Sequence, residues 1–100
     1  MTQPGNLTHH ELKLIRGVLA GHPEITGGIL FGSRAKGVSG PGSDIDLALE
    51  GIDDPLQAET IASELDNLPL PYRFDVKALA AIQYGPLREH IARVGVKIYG

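Results

Sequence analysis

Apolar residues recur along this 100-residue chain with two different periods, and the switches between them divide it into alternating elements. Leu12, Ile15, Val18 and Leu19 fall at helical spacing, and Thr8 with Glu11 forms a capping box just ahead of them. Gly21 and Pro23 end that helix. Gly27-Gly28-Ile29-Leu30-Phe31 then reads as a short buried strand running into a glycine turn, with a short helix expected from Ser33. Ser43 to Glu50 alternates polar with apolar residues, as a second strand does. Asp54-Pro55 opens a second long helix, with Leu56, Ile61 and Leu65 expected on its inner side, and Pro69 and Pro71 break it. Tyr72, Phe74 and Val76 alternate with Arg73, Asp75 and Lys77 as a third strand. Gly85-Pro86 introduces a helix carrying Leu87, Ile91 and Val94, and Val96 to Tyr99 supplies a short last strand. The pattern predicts an α+β fold, a small mixed β-sheet of three or four strands with packed helices in alternating α-β order.

Within that order one spacing carries chemistry. Gly32-Ser33 is followed by ten residues (Arg34 to Ser43) and then by Asp44-Ile45-Asp46. A glycine turn offers exposed backbone N–H groups, and two carboxylates at strand spacing share one face while Ile45, Leu47 and Leu49 fill the other. Their Cα atoms are then roughly 7 Å apart, close enough for both side chains to meet one ion. Such an arrangement can hold a triphosphate and its divalent metals. Read blandly, it is a surface hairpin with two solvated aspartates, but uncompensated carboxylates at that separation repel by about 2.5 kcal/mol at an effective dielectric near 20, less if fully exposed. No Gly-Lys-Ser/Thr follows at Walker spacing, so attack at an α-phosphate is favoured over γ-phosphoryl transfer. The loop Gly37 to Gly42 is rich enough in glycine to move over a bound nucleotide.

Composition narrows the picture. One hundred residues with 42% apolar content predict one domain, residues 1–100, with one core. With no cysteine there is neither a disulfide nor a thiolate metal site. No apolar run approaches a membrane span and no signal-peptide core precedes the first helix, so a cytoplasmic setting is the default expectation. The net charge of −3 argues against a long nucleic acid as partner, since phosphate contacts require a basic face. His9, His10, His22 and His90 stand at no metal-ligand spacing near the aspartates, and surface positions are expected for them.

Leu30-Phe31-Gly32-Ser33-Arg34-Ala35-Lys36-Gly37 together with Gly42-Ser43-Asp44-Ile45-Asp46-Leu47-Ala48 resembles the minimal nucleotidyltransferase (MNT) branch of the DNA polymerase beta-like nucleotidyltransferase superfamily. The resemblance runs from about Leu7 to Tyr99 and implies the nucleotidyltransferase fold. It implies that Gly32 and Ser33 contact the nucleotide's phosphates, with Arg34 and Ser43 as further nucleotide-binding candidates. Arg34 carries a fork suited to bidentate oxygen recognition; Lys36 is an open candidate beside it. It also implies that Asp44 and Asp46 hold two Mg²⁺ ions (or Mn²⁺), and that a third acidic residue on a later strand completes the metal and catalytic set. Asp75 is the candidate for that third carboxylate, because its strand alternation turns it away from the apolar face. Lys77 shares its face, and two fates are open to it, a phosphate or water.

The resemblance extends to partners. MNT proteins are commonly paired with a helical HEPN-type protein, and in some such pairs the MNT protein is an antitoxin that transfers AMP from ATP to the toxin, often on a tyrosine. A protein adenylyltransferase of this kind is the leading expectation, with the partner docking beside Gly37 to Gly42. One alternative is a subunit of a small-molecule nucleotidyltransferase of the aminoglycoside-modifying kind. Another is a non-catalytic partner that neutralises by contact.

Overall fold

The Thr8 hydroxyl accepts from the Glu11 N–H at 3.1 Å, and the Thr8 N–H donates to Glu11 Oε1 at 2.9 Å, closing the expected capping box. The helix so started, α1 (His9–Ala20), turns Leu12, Ile15 and Leu19 inward. This computed structural model describes residues 7–31, 45–70 and 72–100. The expected helix at Ser33 and the Gly37 to Gly42 loop therefore lie outside the described residues.

Among the described residues four strands form one mixed sheet in the order β3-β2-β1-β4: β1 (Gly27–Phe31), β2 (Ile45–Glu50), β3 (Phe74–Ala78) and β4 (Val96–Tyr99). β1 is antiparallel to both β2 and β4, whereas β2 and β3 run parallel. A parallel neighbour requires a crossover, and α2 (Pro55–Asp66) provides it. Asp54 caps α2 by accepting from the Leu56 N–H at 3.0 Å, with Pro55 in the first helical turn where a missing N–H costs nothing. A short 3₁₀ turn, Leu79–Ala81, follows β3, and α3 (Gly85–Val94) precedes β4.

α1 and α2 lie over one face of the sheet. Leu12, Ile15, Leu19, Ile61 and Leu65 bury against Leu30, Leu47, Leu49, Val76 and Ile98 in the main core. One sequence expectation fails here. Leu56 is 69% exposed, and Ala58, Ile61 and Leu65 make the buried stripe of α2. Five residues before Ile61, at 3.6 residues per turn, Leu56 points about 140° away from it.

The other face carries a second, smaller cluster in which Ile91 of α3 packs with Phe31 and Ala48. The polar side of β2 is thus covered at Ala48 and open only toward its ends. Gly95 makes this possible, because a Cβ there would collide with the Ile91 carbonyl oxygen and with Ile29 Cγ2. Gly51, just after β2, has φ +99°, a left-handed turn conformation that suits glycine. Among the described residues no helix is long and apolar enough to cross a membrane.

Candidate active site

Strand alternation sets the site. In β2 and β3 the apolar residues Ile45, Leu47, Phe74 and Val76 enter the main core, which leaves Asp46 and Asp75 on the opposite face. The parallel register then pairs them directly, Asp46 with Asp75, between the Ile45–Phe74 and Leu47–Val76 pairs. On its other side Asp46 pairs with Phe31, the last residue of β1. Asp46 therefore lies between a buried aromatic residue and a carboxylate whose side chain is 53% exposed.

Two contacts hold this register. The Ile45 N–H donates to the Arg73 carbonyl at 2.8 Å, and the Phe74 N–H donates to Asp66 Oδ1 at 3.0 Å. Asp66 ends α2, so it ties the crossover helix to the start of β3 and fixes where Asp75 falls. The sequence reading missed this residue, although a signal was present: an acidic side chain in a last helical turn opposes the helix dipole. Lys77 was the other incomplete reading. Its Nζ lies 3.6 Å from Asp75 Oδ1, so the candidate third carboxylate is a partner beyond the two fates named for it.

Neighbouring strands are about 4.8 Å apart, so two directly paired carboxylates can reach one cation. Hard oxygen donors of this kind suit Mg²⁺, which takes one or two carboxylates and fills its remaining positions from water and phosphate. Asp46 and Asp75 fit such an ion by position and by chemistry. Among the described residues no group of three or more acidic, histidine or cysteine side chains comes together as a metal site. Asp44, Gly32, Ser33, Arg34 and Ser43 lie outside the described residues. The two ends that flank them, Phe31 and Ile45, lie at the same end of the sheet as the Asp46–Asp75 pair.

A cleft of about 320 Å³ runs along the β3 edge between that strand and the start of α2. Asp75, Lys77, Glu59 and Ile82 are among its walls, whereas Asp46 is not. Among the described residues no histidine joins a group of three or more potential metal ligands. His9 and His10 are exposed, His90 is half-buried, and His22, two residues beyond the end of α1, contacts Glu64 Oε2 of α2 at 3.0 Å.

Residues 13–100 match the family model described as polymerase beta, nucleotidyltransferase, and the chain belongs to that nucleotidyltransferase family. Comparison with curated proteins found no match. Among solved structures, the chain is similar to a toxin–antitoxin complex with AMP-PNP, at 24% identity and a TM-score of 0.77, over 89% of this chain and 73% of that one. It is similar to the MntA–HepT toxin–antitoxin at 21% identity and a TM-score of 0.72, over 93% and 73% of the two chains. A third similar structure is a tri-AMPylated Shewanella oneidensis HEPN toxin in complex with MNT antitoxin, at 22% identity and a TM-score of 0.73, over 94% and 73%. At these identities the likeness is one of fold, and it agrees with the α+β nucleotidyltransferase architecture expected from the sequence.

Proposed function

We propose that this chain is a metal-dependent nucleotidyltransferase that transfers AMP from ATP to a hydroxyl of a HEPN-type partner protein, acting as its antitoxin. The observation that carries the reading is the Asp46–Asp75 register pair on the sheet face away from the main core, in a chain of nucleotidyltransferase family. Similar folds in complexes with an AMPylated HEPN toxin and with AMP-PNP support the choice of acceptor and nucleotide.

In this reading Asp44, Asp46 and Asp75 hold the divalent ions. Bound there, the ions supply positive charge to the attacking and leaving oxygens of an in-line displacement. Gly32 and Ser33 bind the departing pyrophosphate through backbone N–H groups, with Arg34 and Ser43 on the same nucleotide. Asp75, the more exposed carboxylate, accepts the proton of the incoming hydroxyl at its Oδ atoms. The cleft along β3 gives the acceptor side chain a route to Asp75 from outside the sheet. The bond formed joins the acceptor oxygen to the α-phosphorus, and the bond broken releases pyrophosphate.

Co-expression with a HEPN-type partner, followed by intact-mass analysis, tests this reading. The partner is expected to gain the mass of one adenylyl group per modified hydroxyl, and Asp46→Ala to remove the gain. Neutralisation that persists with Asp46→Ala and no added mass would favour contact alone. Absence of any complex would favour a small-molecule acceptor.

A further inference from the structure

We propose that Lys77 is a positioning residue of the carboxylate site. It holds Asp75 in the metal-free chain and must release it when a divalent cation binds, so it sets the affinity of the site for that cation. The inference rests on the metal-dependent reading given above and adds to it a residue of this chain that the carboxylate set leaves out.

Lys77 is ion-paired with Asp75, and Glu59 of α2 lines the same cleft. Lys77 follows Asp75 by two residues on β3, so both side chains leave the sheet on the same face, and Nζ lies 3.6 Å from Oδ1. Directly across on β2 stands Ala48, a fully buried methyl group with no charge to offer. The next acidic residue along β2, Glu50, is paired with Lys97, whose Nζ is 3.4 Å from Glu50 Oε1. Each of the two strand lysines on this face thus has its own carboxylate.

Charge then decides what the pairing does. Asp46 and Asp75 present two negative charges side by side, and like charges directly opposite on neighbouring strands destabilise a sheet. Lys77 offsets the charge of Asp75. A divalent ion seeks the same Asp75 oxygens, so the ammonium and the ion compete for them. The Lys77 side chain is 41% exposed, which lets the ammonium withdraw into water without crossing a packed interior. A divalent cation held on this face is opposed by the positive charge of Lys77. Its removal should tighten binding by about three- to tenfold, a range set by one unit charge a few ångströms away in a partly screened site.

The test is Mn²⁺ binding to the full chain without nucleotide, followed by the electron paramagnetic resonance of free Mn²⁺. Lys77→Arg, Lys77→Met and Lys77→Glu form a charge series, with Lys77→Gln as a second neutral variant should Met disturb packing. The expected order of affinity is Glu above Met or Gln, and these above wild type and Arg. A purely structural lysine would not order its variants by charge. Neutral variants that bind Mn²⁺ no tighter than wild type would overturn the inference. Asp75→Asn separates the two claims. If it loses Mn²⁺ while the lysine series stays flat, only the role of Lys77 fails. If it binds Mn²⁺ like wild type, the site reading fails as well.

Discussion

Asp46 and Asp75 pair directly across the parallel β2–β3 junction, with Phe31 on the other side of Asp46 and Lys77 beside Asp75. The junction is the one parallel pairing among the described strands. It exists because α2 carries the chain back over the sheet, so the two carboxylates meet through a crossover, residues 51–73, rather than through a hairpin. The chemistry proposed for the pair therefore depends on how α2 and β3 are set against β2.

Asp75→Asn should abolish nucleotidyl transfer while leaving the fold almost untouched. The substitution relieves repulsion with Asp46 and also gives up the partly exposed pairing with Lys77. Both effects are small and opposed, so stability should change by less than about 1 kcal/mol. Thermal unfolding by circular dichroism, run beside the transfer assay, checks the split. A large loss of stability would recast Asp75 as a structural residue.

Asp66→Ala should cost about 1 kcal/mol or more, because it leaves the Phe74 N–H without its acceptor at a half-buried position. The change also frees the start of β3, so transfer should fall although Asp66 lies outside the carboxylate pair. Denaturant unfolding and initial rates measured on one preparation test both halves. Full activity in Asp66→Ala would show that β3 keeps its register without this anchor.

Much of this arrangement was legible because its causes are local. The Thr8–Glu11 box, the Asp54-Pro55 start and the alternation through Phe74, Asp75 and Val76 each span a few residues, and each reappears in the structure. Leu56 was misplaced because it was grouped with Ile61 and Leu65 by hydrophobicity rather than by helical angle. The parallel sense of β2 and β3, the Asp66 anchor and the packing of Ile91 on Ala48 are contacts between distant segments. No local pattern encodes them. Of the candidate site, the alternation put Asp46 and Asp75 on the face away from the main core, while their direct pairing emerged only with the sheet register.

Gly95→Ala should destabilise by about 1–3 kcal/mol, because the added methyl meets the Ile91 carbonyl and Ile29 at the joint between α3 and β4. For a chain of this size each kcal/mol lowers the Tm by about 4–8 °C. Calorimetry gives the value directly. An unchanged Tm would mean that α3 can shift away from the sheet without loss.

Ile61→Ala removes a fully buried side chain from the main core and should cost about 2–5 kcal/mol. Leu56→Ser, five residues away on the same helix, should cost little because Leu56 is exposed. Urea midpoints for the two variants test which face of α2 is buried. Similar losses in both would contradict the packing described here.

The central claim is that the Asp46–Asp75 pair serves transfer at the α-phosphate. Its most direct test supplies the chain and a HEPN-type partner with Mg²⁺ and ATP labelled at either the α or the γ position. Label from the α position should appear on the partner, label from the γ position should leave as pyrophosphate, and Asp46→Asn should eliminate the transfer. Partner labelled from the γ position, or undiminished α-label with Asp46→Asn, would contradict the account.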